Sequence, residues 1–366
     1  MEQRRKNLTQ LFIPICLETL LYMLSGMVDT LMLSSVNDQA VGAVGTANTY
    51  IGIFIIMFSV ISSGMVAVMT QNIGAGRPGV AYQARQLGLA FNAVLGVIMS
   101  LFLSLGAGTI LSGVGVADAL MQPAKTYLQI VGGFCILNAL IPICSSYLRA
   151  FGFSKEPLYA SIIGNVINFC LNAFFLFVLH KGVAGVATAT VISRIINLVI
   201  VVLLGAVLVK AKQHPERESN RAVMGQIIRI GLPSACETAI YNVSMTLVIR
   251  FLNQMDAQGL NVTARSYTMQ ITNFSYCVGA ALAQANAIMT GWHIGAKEYD
   301  ACDRGTKKAA VIGVIVAVIL ETVFTLCSGW IMQLFSKDPQ MVSLVGKLLA
   351  IDIVLEIGRV TNLVYG

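Results

Sequence analysis

Two carboxylates, Glu18 and Asp29, lie inside the first apolar stretch of the chain. A charge within a bilayer is costly, and such residues usually face a bundle interior, an ion path or a water-filled cavity. Their spacing is about three helical turns, roughly 16 Å along one face. They cannot share a proton, but they can line one cavity at two depths. A functional role is favoured for Asp29 over a structural or solvated carboxylate. For Glu18 the structural and functional readings stand level. The surroundings of Glu18 recur downstream: Pro14-Ile-Cys-Leu-Glu18-Thr19 is echoed by Pro233-Ser-Ala-Cys-Glu237-Thr238, with Tyr22 and Tyr241 trailing at the same distance.

Other polar residues fall on helical faces. Asn165, Asn168 and Asn172 are spaced i, i+3, i+7 and share one side of a helix. Amides there can be interhelical hydrogen-bond glue, or they can coordinate a cation or substrate. Thr188 and Thr190 follow, and threonine hydroxyls in helices more often bond their own preceding turn. Further on, Asp352, Glu356 and Arg359 form an acid-acid-base stripe at i, i+4, i+7. An internal Glu356–Arg359 or Asp352–Arg359 pair that lowers the insertion cost is the simpler account; gating or proton relay is the other. Glu321 has no evident partner and is given no role. The 16 methionines read as membrane-core filling before a pliable drug-binding lining.

These residues sit in a chain built for lipid. Of 366 residues, 56% are hydrophobic and 11% charged, against about 25% charged in soluble domains. Mean hydropathy is +0.77. The hydropathy pattern predicts ten spans, approximately 8–34, 42–70, 87–112, 126–148, 158–179, 184–209, 225–252, 263–291, 308–335 and 341–366. The first is too long for a cleavable signal and has no small-residue cleavage site. The net charge of +7 follows the membrane side rather than nucleic acid. With the N-terminus inside, the cytoplasmic segments collect Arg4, Arg5 and Lys6; Arg77 and Arg85; Arg149 and Lys155; Lys210, Lys212, Arg217, Arg221 and Arg229; and Lys297, Arg304, Lys307 and Lys308. The outer segments hold Lys125, Lys181, Arg250, Arg265, Lys337 and Lys347. This asymmetry predicts a cytoplasmic N-terminus.

Cofactor chemistry finds little support. The 8 cysteines form no C-x-x-C pair, and the 3 histidines, His180, His214 and His293, are scattered. No G-x-x-x-x-G-K-[ST] loop is present for nucleotide. The expectation is a chain without cofactor, metal or nucleic-acid partner that is no enzyme.

The echo continues past the first helix. Met69-Thr70…Ile73-Gly74-Ala75-Gly76-Arg77 closes the second span, and Met289-Thr290…Ile294-Gly295-Ala296-Lys297 closes the eighth. Both are glycine turns followed by a cation. The expected fold is therefore an all-α polytopic membrane protein of two parallel-repeat helix bundles, six spans plus four of an expected six. The expected lobes are 1–209 and 225–366, joined by a cytoplasmic linker at 210–224 around His214-Pro215-Glu216-Arg217. Nothing after the tenth span answers the Tyr147-Leu148-Arg149-Ala150-Phe151-Gly152 turn that ends the fourth, so two further spans are expected beyond Gly366.

Several segments resemble one known family. Val28-Asp29-Thr30, Gln71-Asn-Ile-Gly-Ala-Gly76, Leu148-Arg-Ala-Phe-Gly152, Gly164-Asn165-Val-Ile-Asn168, Ala189-Thr190-Val-Ile-Ser193-Arg194 and Gly231-Leu-Pro-Ser234 occur in the order and spacing of the multidrug and toxic compound extrusion (MATE) family. Glu356-Ile-Gly-Arg359-Val-Thr-Asn362 resembles a bacterial branch. The resemblance covers essentially all of 8–366. It implies a twelve-helix fold of two six-helix lobes and alternating-access export of organic, often cationic, compounds against a proton or sodium gradient. It also implies a bacterial plasma-membrane setting. By position Asp29 matches the family's helix-1 aspartate of cation coupling, and Asn168 and Thr190 match positions that accompany it. Where many relatives carry an aspartate after that asparagine, this chain has Asn172, which favours proton over sodium coupling. Glu18, Asn165, Glu237, Tyr241, Asp352, Glu356 and Arg359 remain substrate or gating candidates. The small-molecule substrate and the bilayer are the expected partners, with the protein a monomer.

Two rivals are weighed. A flippase for lipid-linked saccharides from the same wider superfamily would carry more basic residues in its cavity than Arg194 and Arg359. A membrane aspartyl protease needs two converging aspartates in a Gly-x-Gly-Asp setting, which Asp29 and Asp352 lack.

Overall fold

The computed structural model describes residues 6–34, 38–113, 116, 118–209, 215–255, 260–333 and 338–366. Among these the secondary structure is helical: α1 (Leu8–Ser34), α2 (Asp38–Gly74), α3 (Pro78–Gly113), α4 (Asp118–Tyr127), α5 (Ile136–Ala150), α6 (Lys155–Ala173), α7 (Gly182–Leu208), α8 (Asn220–Met255), α9 (Leu260–Gly295), α10 (Tyr299–Leu326), α11 (Ser328–Met332) and α12 (Pro339–Tyr365). Short π-helical turns at Leu128–Gly132 and Phe174–Val178 interrupt the fourth rod and extend the fifth. Arg4, Arg5, Lys210, Lys212, His214 and Lys337, used above for topology and the linker, lie outside the described residues.

Each expected span has a helical counterpart, but several helices overrun theirs. The expected second span ends at Thr70, yet α2 continues to Gly74; the third begins at Leu87, yet α3 starts at Pro78. Hydropathy reports only the part of a rod that lies in lipid, whereas hydrogen bonding carries the helix on to the next breaker. The fourth span is bent by 42° between Asp118–Gly132 and Ile136–Ala150. Among the described residues, six helices are long and apolar enough to cross a membrane, seven if that bent pair counts as one. α8, α9 and α12 fall outside this group because charged and amide side chains dilute them.

The two echoed helix ends adopt one hydrogen-bonding pattern. After α2, Ala75 N–H donates to Gln71 O, Gly76 to Ile73 and Arg77 to Asn72, over 2.8–3.1 Å. After α9, Ala296 donates to Trp292, Lys297 to Ile294 and Glu298 to His293, again over 2.8–3.0 Å. The left-handed position is Gly76 in the first (φ 74°) and Lys297 in the second (φ 62°). A lysine held there, at a conformation costly for residues with a Cβ, marks the same cap built with a poorer residue.

Contacts divide the chain into two units. One is built mainly from Leu21–Ala235; the other joins Asn7–Leu20 to Cys236–Gly366. The breaks at Leu20/Leu21 and Ala235/Cys236 fall inside the echoed helices α1 and α8, each C-terminal to the helix's proline, Pro14 or Pro233. Glu18 and Asp29, one helix face in the sequence, therefore belong to different units. The first unit packs Phe58, Leu103, Leu111, Leu128 and Ala139 from α2, α3, α5 and the π turn into one core. Asn92 is buried there, its amide between the carbonyls of Phe58 (3.3 Å) and Ala139 (3.4 Å). Within this unit α2 and α8 touch backbone to backbone: a Cβ on Gly64 would collide with the Ile227 carbonyl, and one on Gly231 with that of Val60.

The segment before α8 is fastened to the start of α3. Gln83 donates to the Glu218 carbonyl (2.7 Å) and to Asn220 Oδ1 (2.6 Å), and its own Oε1 accepts from Glu218 N–H (3.0 Å). Arg217 donates to Gly79 O at 2.9 Å, and Arg77 pairs with Glu218 at 2.6 Å. The second unit has two smaller cores, one around Ile271, Met341, Val345 and Leu349, the other around Ala309, Ala317 and Val360.

Candidate functional site

In the first unit α6 presents its asparagine face to α1. Asn172 Nδ2 donates to Asp29 Oδ1 at 2.6 Å and to Asn168 Oδ1 at 3.3 Å. Both asparagines are buried, whereas Asp29 is partly open. Asn165, a turn earlier, reaches the Leu21 carbonyl at 3.5 Å. The stripe thus does two things: its last member, braced by Asn168, holds the carboxylate, and its first ties α6 to α1. Arg194 on α7 is an electrostatic neighbour of Asp29. Asn172 Oδ1 is buried with no hydrogen-bond partner, so this amide has an acceptor in reserve.

Thr190 is buried, but its hydroxyl donates to Val186 O at 2.9 Å, and that of Thr188 to Ala184 O at 2.7 Å. Both follow the own-helix habit expected of threonine, and Thr190 spends its proton away from Asp29.

In the second unit α12 carries the acid-acid-base stripe. Arg359 donates to Glu356 Oε2 at 2.7 Å and lies 3.8 Å from Asp352 Oδ1. The two alternative pairings are both present, with one guanidinium serving two carboxylates. Ser275 of α9 donates to Glu356 Oε1 at 3.4 Å. Glu237, the echo of Glu18, stands apart from this group and accepts from Asn362 Nδ2 at 2.8 Å. Tyr241 is exposed, and Glu18 is half-buried. A groove of ≈ 400 Å³ lined by Arg85, Leu89, Cys144, Leu198 and Val202, among others, contains none of the expected site residues.

Long apolar helices, with a partly open carboxylate held by an amide in the first unit and a buried one held by an arginine in the second, define a polytopic membrane protein. The comparisons give the class its family. The MatE family matches residues 14–174 and 233–366, and the chain belongs to it. A Bacillus subtilis relative described as uncharacterized transporter YisQ is 32% identical over 96% of this chain and 78% of its own length. A Thermotoga maritima protein described as probable multidrug resistance protein NorM is 23% identical over 93% of this chain and 74% of its own. Among solved structures, an outward-facing MATE family transporter of the MOP superfamily superposes with TM-score 0.85 at 19% identity, covering 98% of this chain and 81% of that one. A MATE structure in the straight conformation gives 0.86 at 19% identity, covering 98% and 81%. The protein is a multi-pass membrane transporter and no enzyme.

Proposed function

We propose that the protein is a cation-coupled antiporter of the bacterial inner membrane. It exports organic, cationic drugs or metabolites by alternating access between two lobes, with protons as the coupling ion. The observation that carries this reading is the 2.6 Å hydrogen bond from Asn172 to Asp29. An amide donor suits an ionised carboxylate. When Asp29 takes a proton, the same amide can turn and offer Oδ1 as acceptor. Asn172 thereby serves both charge states, whereas a second carboxylate at that place would need a cation between the two. Protonation from outside removes the buried charge, loosens α1 from the amide face of α6 and releases the cationic cargo. Loss of the proton to the cytoplasm restores the acceptor. The names of the NorM relatives support the drug-like cargo.

The test is ethidium efflux from cells lacking their own pumps. Wild-type protein should extrude the dye, and both a protonophore and Asp29→Asn should abolish extrusion. Undiminished gradient-driven export by Asp29→Asn would refute the coupling role of Asp29.

A further inference from the structure

The groove of ≈ 400 Å³ between α3, α5 and α7 lies within the first unit and takes no part in the site around Asp29. Its two ends differ in chemistry. Arg85 of α3 stacks on Tyr147 of α5, and Gly96, further along α3, packs on Ile136 at the start of α5, so these helices run antiparallel. Gly205 of α7 packs on the same Tyr147 ring. Arg85, Cys144 and Val202 therefore line one end of the groove, and Ala93, Leu140 and Leu198 the other. The Arg85 end is the shallow one, because Arg85 stands two turns, roughly 10 Å, beyond the first residue of α3. The groove is polar where it nears the membrane surface and apolar where it deepens.

The shallow end carries positive charge without its complement. The Arg85 guanidinium lies 4.5 Å from the Tyr147 ring centre and 6.0 Å from that of Tyr82, and Arg217 lies 5.5 Å from the Tyr82 ring. Aromatic faces steady a guanidinium but do not neutralise it. Among the described residues no ion pair includes Arg85 or Arg217. Arg85 Nε is buried and has no hydrogen-bond partner, and a buried donor left unmade is costly. We propose that the groove binds an anionic phospholipid, its phosphate on Arg85 and one acyl chain along Leu89, Ala93, Leu140 and Leu198. Guanidinium donors suit phosphate oxygens, and the apolar depth suits the chain. A cationic cargo would meet repulsion at the Arg85 end, and a free anion would gain nothing from the apolar end. Ala90 and Val202 are exposed on the groove wall, so the second chain stays in the surrounding bilayer. The charge asymmetry that gathers Arg77, Arg85 and Arg149 on one side assigns the lipid to the cytoplasmic leaflet, where basic pockets between helices take anionic headgroups.

The site is independent of the coupling ion and the cargo, and its test is a binding measurement. The purified transporter in non-ionic detergent is titrated with phosphatidylglycerol, with phosphatidylcholine of the same acyl chains, and with inorganic phosphate, and the unfolding midpoint is read. Wild type is expected to show a saturable rise in Tm with phosphatidylglycerol, a much smaller one with phosphatidylcholine and none with phosphate. Arg85→Gln, which removes the charge, should lose the preference for phosphatidylglycerol. Ala90→Phe, which obstructs the groove and leaves the guanidinium in place, should lose it too. Equal responses of wild type to the two lipids would overturn the site, and a matching rise with phosphate would replace it by a free-anion site. Retention of the preference by either folded variant would also overturn it. If Arg85→Gln gave no folded protein, Ala90→Phe would decide the matter. Asp29→Asn should keep the lipid response while losing ethidium efflux, which separates failure of this site from failure of the coupling scheme.

Discussion

Asn172 and Asp29 meet across 2.6 Å, the amide of α6 donating to the carboxylate of α1. The contact makes the charge of Asp29 conditional on a neutral partner, and substitutions at Asn172 should therefore change the coupling ion rather than simply weaken transport.

Asn172→Asp sets a second carboxylate against Asp29. Two acids at that distance require a proton or a metal cation between them. The variant is expected to acquire sodium dependence, read as dye efflux from vesicles under an imposed sodium gradient at constant pH. Efflux with wild-type indifference to sodium would count against the arrangement.

Gly231→Ala places a methyl group against the Val60 carbonyl, at a backbone contact that cannot rotate away. The cost should reach the upper end of the about 1–3 kcal/mol typical of overpacking. Gly52→Ala, where nothing lies within 4 Å of the added carbon, is the matched control. A lower Tm and poorer recovery of monodisperse protein are expected for the first and not the second.

Arg359→Gln leaves Glu356, at 0% exposure, without its 2.7 Å partner. Removing one member of a buried pair costs about 3–5 kcal/mol. Adding Glu356→Gln should recover much of that loss, because the fully buried carboxylate that lost its partner is then neutral. A thermal double-mutant cycle measures it.

Gln83→Leu deletes the amide that holds the Glu218 backbone from both sides. Trypsin cleavage at Arg217 and Arg221 should become several-fold faster in the purified protein, while dye efflux changes little.

Much of this architecture is legible in the chain itself, because among so many apolar residues each polar one is conspicuous. A helical period alone put the three asparagines on one face, while their place beside Asp29 followed from the family resemblance. The shared Arg359 was visible for the same reason, since its partners lie within two turns. The place of Glu321 was not: its carboxylate lies within 4.8 Å of those of Asp352 and Glu356 on α12, and no local spacing connects the two helices. The bend in the fourth span was also hidden. It falls between Gly132 and Ile136, directly after a π turn at Leu128–Gly132, and a π turn has no firm residue signature. The breaks inside α1 and α8 fall within single expected spans, 8–34 and 225–252, so the span boundaries do not mark them.

The low apolarity of α12 has a consequence for biogenesis. Lys347, Asp352, Glu356 and Arg359 lie along one helix, and each charge near the bilayer centre adds about 2.5–3.5 kcal/mol to insertion from the translocon. Such a segment does not partition into lipid on its own merit. It must leave the ribosome into the company of α9 and α10, whose Ser275 and Glu321 face its charges, so that the order of synthesis becomes part of how the second half reaches the membrane.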